Sequence, residues 1–239
     1  MKLFDINRPI PQETVPETDN VSLVISDEPL VCISDEFKDI MFFCPKYFEQ
    51  GLAGAAKNMY VRKTTAEMLL EASRLLPEGV KLKVFDAWRP QIVQKTLFDR
   101  YFQRLSKEYE GSGLAVEERV KKTREFVSYP SDDPMKPFAH ETGGAVDLTL
   151  TDAYGNELDM GTRFDDFSTA AYTAFFETGE ESEPGRNRRI LYNAMLAAGF
   201  TNLPSEWWHY DYGDNFWGAL TGNNAIYQGI YDEHDFGMR

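Results

Sequence analysis

The chain has 239 residues, of which 42% are hydrophobic, 14% aromatic and 27% charged. That apolar share excludes a wholly disordered chain, and the length suits one large domain or two small ones. Asp and Glu number 39 against 25 Lys and Arg, a net charge of −14; this field repels phosphate backbones and anionic lipid, and argues against nucleic-acid and membrane partners.

No apolar run reaches the length of a membrane span, and the first residues lack the apolar core of a signal peptide, so cytoplasmic residence is expected. Cys32 and Cys44 lie in apolar bursts without C-x-x-C spacing and are expected to be buried, reduced thiols. The first 60 residues carry short apolar bursts at 21–25, 30–33 and 40–44 between charged and proline-bearing turns, which predicts irregular strands and loops. Thr64 and Glu67 have capping-box spacing, and Met68, Leu69, Ala72, Leu75 and Leu76 form a helical stripe closed by Pro77 and Gly79. Val80, Leu82 and Val84 then alternate with Lys81 and Lys83, predicting a strand that ends at Asp86-Ala87-Trp88-Arg89-Pro90.

Pro90 suits the first position of a second helix running to about Glu110, and a charged helix is expected over 116–127. Val146, Leu148 and Leu150 alternate with Ala145, Asp147 and Thr149, a strand with its apolar face inward and Asp147 on the other side. A helix is expected over 167–176, an acidic loop over 177–184, and a helix over 186–198 stopped by Gly199. Residues 207–212 read as an aromatic strand. Helices and strands mix without strict β-α-β repetition, so the expected class is α+β.

The chain has three histidines, His140, His209 and His234. A hydrolytic zinc takes three N or O ligands and keeps one position open for water. His140, Asp147 and His209 would supply two imidazoles and a carboxylate, with Gly143 and Gly144 letting the backbone bend between the first two. Glu206, three residues before His209, would be a general base if loop curvature turned it inward. Arg89 would stabilise an oxyanion, with Asp86 holding its guanidinium. Each also has an ordinary reading. His140 could be a solvated loop residue, His209 and Trp208 packed sheet aromatics, and Glu206 a surface carboxylate. Arg89 could simply pair with Asp86 or pack on Trp88, Asp165 or Asp166 could N-cap the helix from just ahead of Phe167, and His234 could be an exposed tail residue.

Together these pieces resemble the D-alanyl-D-alanine dipeptidases, zinc peptidases that include the vancomycin-resistance dipeptidases and their housekeeping relatives. The resemblance runs from about Thr64 to Tyr212. It rests on Asp86-x-x-Arg89-Pro90, His140-Glu141-Thr142-Gly143-Gly144-Ala145-Val146-Asp147, Met160-Gly161-Thr162-x-Phe164-Asp165, Asn187-Arg188-Arg189, and Glu206-Trp207-Trp208-His209-Tyr210. It implies the compact α+β fold shared with D,D-carboxypeptidases and the hedgehog signalling domain, with a central antiparallel sheet flanked by helices. On this resemblance, residues 1–239 form a single zinc peptidase domain, loosely matched over 1–60 and extended over 214–239. It further implies one zinc ion per chain on His140, Asp147 and His209. Glu206 would move the proton from the attacking water to the leaving amine, and Arg89 would steady the tetrahedral intermediate. Asp165 and Asp86 would belong to the substrate-binding group, Asp165 near the ammonium of a small dipeptide. The implied reaction is hydrolysis of D-Ala-D-Ala to two D-alanines. The alternatives are a D,D-carboxypeptidase or endopeptidase acting on cell-wall peptides, or a metal-binding relative without turnover. The family usually has a serine two residues before the first zinc histidine, where this chain has Phe138. Nothing in the sequence indicates an oligomer, and nothing excludes one.

Overall fold

The computed structural model describes residues 5–124, 126–133 and 135–231. In chain order the elements are β1 (Leu30–Cys32), α1 (Ile33–Glu36), β2 (Phe42–Phe43), α2 (Lys46–Glu49), β3 (Tyr60–Arg62), α3 (Lys63–Leu75), β4 (Lys81–Asp86), α4 (Gln91–Glu108) and α5 (Val116–Arg124). There follow β5 (Ala145–Thr151), α6 (Glu183–Ala197), β6 (Thr201–Asn202), β7 (His209–Asp211) and α7 (Asn215–Thr221). The main sheet has the order β2-β4-β5-β7-β6, and β1 pairs with β3 in a separate two-stranded ribbon. This is an α+β architecture. The expected antiparallel arrangement holds across β4, β5, β7 and β6, but β2 joins β4 in parallel, so the sheet is mixed.

The apolar face of β5 (Val146, Leu148, Leu150) joins Leu69 of α3 and Leu191 and Met195 of α6 in the main core. Every residue of β5 is buried, including Asp147 and Thr149 on the opposite face. That second face is covered because Phe164 packs between Phe85 and Trp208, at ring distances of 5.1 and 5.5 Å. A register shift between Val84 and Asp86 sets Asp86 opposite Asp147 on the adjacent strand, the kind of irregularity that re-aims a side chain.

Several local expectations are corrected. The Thr64 capping box does not form. Helix α3 begins at Lys63, and the backbone N–H and hydroxyl of Thr64 both donate to Glu28 Oε1, at 2.6 and 2.5 Å. A carboxylate from another segment thus takes the place of the local cap at the positive helix end. The helix expected over 167–176 is replaced by two short 3-10 turns, Thr169–Ala171 and Phe175–Glu177. The Arg188 guanidinium draws off the carbonyls of Met160, Ala170 and Tyr172 at 2.7–2.9 Å, and two of these a continuous helix would need. Helix α6 starts earlier than expected, at Glu183, because Ser182 Oγ accepts from Gly185 N and Pro184 occupies the first turn. Residues 207–208 precede the strand, which spans only His209–Asp211, and α5 stops at Arg124. Cys32 and Cys44 are free and half-buried. No helix among the described residues is long and apolar enough to cross a membrane.

Glu177 ties the second 3-10 turn to α6 by accepting from Arg189 Nε and Nη2 at 2.8 and 2.7 Å. Burial alone would raise the Glu177 pKa, but the Arg189 bonds outweigh it and hold the carboxylate below its ordinary range. A lowered folded pKa stabilises the fold above the unfolded value of about 4.3, and that stability is lost as pH falls through the folded value. Glu177→Gln is expected to cost up to about 1 kcal/mol at pH 7 in chemical denaturation. The difference from the parent protein should close once both are measured below the folded pKa of Glu177.

Candidate metal centre

His140 lies on a 3-10 turn, Ala139–Thr142, that ends at Gly143 with φ +72°. That left-handed conformation favours glycine. At Gly144 a Cβ would stand 2.2 Å from the carbonyl oxygen of Tyr212, so only glycine lets the turn press against the neighbouring strand. Arg62 holds the turn from β3, its Nε donating to the Thr142 carbonyl at 2.8 Å and its backbone N–H to Gly143 at 2.8 Å. The chain then enters β5, and the strand delivers Asp147 beside His140.

The imidazole tautomers follow from their partners. His140 Nδ1 lies 2.8 Å from the Ala87 carbonyl, which can only accept, so Nδ1 carries the proton and Nε2 presents a lone pair. His209 Nε2 donates to Asp211 Oδ1 at 2.6 Å, which leaves Nδ1 with the lone pair. These two nitrogens face each other at 3.2 Å, and His209 Nδ1 lies 2.9 Å from Asp147 Oδ1. One ligand atom from each of His140, Asp147 and His209 falls within 4.8 Å of the others, and all three residues are buried. Lone pairs and a carboxylate crowded together repel unless they share a cation, and two imidazoles with one carboxylate suit zinc. The surrounding field agrees. Burial would lower the His209 pKa, but Asp211 and Asp147 outweigh it and raise it well above the ordinary value. Burial would raise Asp147, but the two imidazoles hold it well below the carboxylate range. Positive charge is stabilised at this point.

Glu206 reaches the site because 203–208 is a turn and not a strand. Its backbone N–H donates to the Leu203 carbonyl at 2.9 Å, and the Asn202 side-chain amide donates to the carbonyls of Glu206 and His209 at 3.1 and 2.8 Å. The alternation that would separate residues three apart on a strand does not apply. Glu206 lines one cavity of about 340 Å³ with His140, Asp147, His209, Arg89 and Asp165. Burial pushes its pKa up to about 8, with Asp147 and Asp165 adding to the rise and His209 and Arg89 opposing it.

Arg89 is held on three sides: Nε donates to Asp86 Oδ2 at 2.7 Å, Nη1 to Gln94 Oε1 at 2.7 Å, and Nη2 to Asp147 Oδ2 at 3.2 Å. Asp86 therefore sits behind the guanidinium, also 3.4 Å from His140 Nδ1, and is not on the wall of the cavity that Glu206 lines. Asp165 has φ +60°, a left-handed conformation that Asp tolerates better than most residues. It accepts from the Tyr47 hydroxyl at 3.1–3.2 Å. Burial raises its pKa to about 7, with Asp147 adding and Arg89 opposing. Trp207 Nε1 donates to Thr162 Oγ1 at 2.8 Å and fastens the loop that carries Asp165. Asp166 instead accepts from Ser168 N at 2.8 Å, a local cap. His234 lies outside the described residues.

Tyr47, Gln94 and Asp211 complete the site and carry no motif that singled them out. Asp211 left a signal, since residues two apart on a strand share a face. Gln94 falls in the first turn of α4, close after Arg89. Tyr47 stands 118 residues from Asp165, and nothing local announces it.

Three converging donors with a carboxylate and a guanidinium beside them define a candidate metallohydrolase centre. A model of the D-ala-D-ala dipeptidase family of peptidases matches residues 48–230. A D-alanyl-D-alanine dipeptidase of Synechocystis sp. is 30% identical over 189 residues, which is 72% of this chain and 76% of that protein. Its namesake in Escherichia coli is 29% identical, covering 56% of this chain and 55% of that one. The chain belongs to the D-ala-D-ala dipeptidase family. Among solved structures, a variant of the vancomycin-resistance D,D-pentapeptidase VanY in complex with Zn(II) is 16% identical, with 71% of this chain and 84% of that chain covered and a TM-score of 0.41. VanYB in complex with D-Alanine-D-Alanine is also 16% identical, with 71% and 82% covered and a TM-score of 0.42.

Asp211 fixes the tautomer and orientation of His209, so Asp211→Asn is expected to weaken zinc affinity by about 10–100-fold. Competition with a chromophoric chelator measures this. An unchanged affinity would show that His209 needs no such partner.

Proposed function

We propose that this chain hydrolyses the free D-Ala-D-Ala dipeptide, or a close analogue, using one zinc ion held by His140, Asp147 and His209. The observation that carries this reading is the meeting of those three donors with Glu206 and Arg89 in one cavity. Zinc bound there supplies Lewis acidity, polarising the peptide carbonyl and making a water more acidic.

The chain's own residues do the rest. Glu206, half-buried beside the donors, takes a proton from the attacking water and passes it to the nitrogen of the leaving amine. Arg89 uses three of its five N–H groups on Asp86, Gln94 and Asp147. The remaining two face charge developing on the carbonyl oxygen, and a guanidinium already locked in place needs no reorganisation to meet it. Asp165, buttressed by the Tyr47 hydroxyl, receives the ammonium of the substrate. An N-acylated peptide would bring no charge to that carboxylate, which favours a dipeptidase over a carboxypeptidase or endopeptidase. The chain works as one peptidase unit on this reading: Val15 near one end and Phe216 in α7 line the same cavity as the donors.

The test is a substrate panel on the zinc-loaded protein, with D-Ala-D-Ala, L-Ala-L-Ala and N-acetyl-D-Ala-D-Ala. Rapid hydrolysis of the free D,D-dipeptide alone is expected, while preference for the acylated peptide would move the chain to the carboxypeptidase reading. Glu206→Gln should retain stoichiometric zinc and lose about 10²–10⁴-fold in turnover; a near-normal rate removes Glu206 from the mechanism. Arg89→Ala should lose about 10²–10³-fold in kcat, and a change confined to KM would reassign it to ground-state binding.

A further inference from the structure

The chemistry above occupies the floor of the cavity. Helix α4 lines it further out. Gln94 touches Arg89, and Leu97, Arg100, Tyr101 and Arg104 follow on the same helical face, all of them on the cavity wall. The ten steps from Gln94 to Arg104 rise about 15 Å along the helix axis, whereas two extended residues span at most about 7 Å. The cavity therefore continues well beyond the backbone of a dipeptide.

Its outer wall has a distinct character. Tyr101 meets Phe126 edge-on and Phe167 at a tilt, at ring distances of 5.7 and 4.6 Å, and buried Phe138 adds a further apolar surface. Above this apolar belt stand three exposed arginines, Arg100 and Arg104 on α4 and Arg124 at the end of α5. No ion pair within 4 Å engages any of them among the described residues. Arg124 lies over the Tyr129 ring at 5.8 Å. Asp166 feels the charge of Arg104, but its Oδ1 accepts from Ser168 N. In a chain of net charge −14, three cations around one cavity mouth with no ion pair within 4 Å among the described residues mark a place for an anion that arrives from outside.

We infer that this mouth is a specificity subsite for a second anionic group on the substrate, carried by the side chain of its C-terminal residue. The preferred substrate class is then a free dipeptide whose leaving residue has an acidic side chain with an apolar stem, in place of a bare methyl. The stem crosses the belt of Tyr101, Phe126 and Phe138, and the carboxylate meets Arg100, Arg104 and Arg124. The inference rests on the dipeptidase reading, in which Asp165 takes the ammonium and the arginines are left for the C-terminal residue.

The test uses D-Ala-D-Glu against its neutral isostere D-Ala-D-Gln. Calorimetric titration of the zinc-loaded Glu206→Gln protein reads binding, and kcat/KM of the zinc-loaded parent protein reads turnover. D-Ala-D-Glu is expected to bind roughly tenfold more tightly than D-Ala-D-Gln, the yield of two or three exposed charge contacts, with the gap narrowing as salt rises. Adding Arg100→Ala and Arg104→Ala, both on an exposed helical surface, should bring the two affinities together. Equal affinities in the parent background, or a preference that survives the double substitution, would overturn the subsite. Hydrolysis of neither peptide nor of D-Ala-D-Ala, with the acidic preference intact in calorimetry, would overturn the dipeptidase reading and leave the subsite standing.

Discussion

Asp147 is 2% exposed in the central strand of the sheet, and directly across from it on β4 is a second carboxylate, Asp86. Like charges opposed on neighbouring strands destabilise a sheet unless something lies between them. Arg89 spans the two, at 2.7 Å from Asp86 and 3.2 Å from Asp147. This bridge does two jobs at once. It lets a buried carboxylate persist next to two imidazoles, and it fixes a guanidinium on the wall of the cavity that those imidazoles line. Removing Arg89 would leave two buried carboxylates facing each other without a compensating charge.

The charge pattern extends behind His209. Asp211 takes its Nε2 proton, and Asp214 stands behind Asp211 with its pKa raised well above normal by burial and by that neighbour. Asp214 is itself anchored, accepting from Trp217 N at the start of α7. The residues after the main sheet are in this way joined to the candidate metal ligands by a short run of carboxyl groups.

Aromatic packing performs the mechanical part. Trp208 is 1% exposed and sets its edge against Phe164 and Trp207. The Phe164 loop thereby lies flat over β5 and presents Asp165 in its left-handed conformation. Arg188, anticipated only as part of a motif, proves to be a structural clamp whose guanidinium gathers three carbonyls of the same region. It explains why a segment with helical composition stays as two tight turns.

The α3 stripe, the alternation of β4 and β5, and the short separation of His140 from Asp147 were all legible in the sequence, because side-chain periodicity and glycine spacing report on neighbours along the chain. The same holds for Glu206 before His209, although the turn that directs Glu206 inward depends on the Asn202 amide bridging two carbonyls. Contacts between distant segments were decided by tertiary packing alone. Tyr47 meets Asp165 across 118 residues, Arg89 meets Asp147 across 58, and Glu28 replaces the local cap of α3 across 36. No local pattern encodes such pairs, since each forms only after burial has brought two surfaces together and left a polar group in need of a partner. The arginine-lined mouth belongs with these: α4 and α5 each read as ordinary charged helices until their packing turns Arg100, Arg104 and Arg124 toward one cavity.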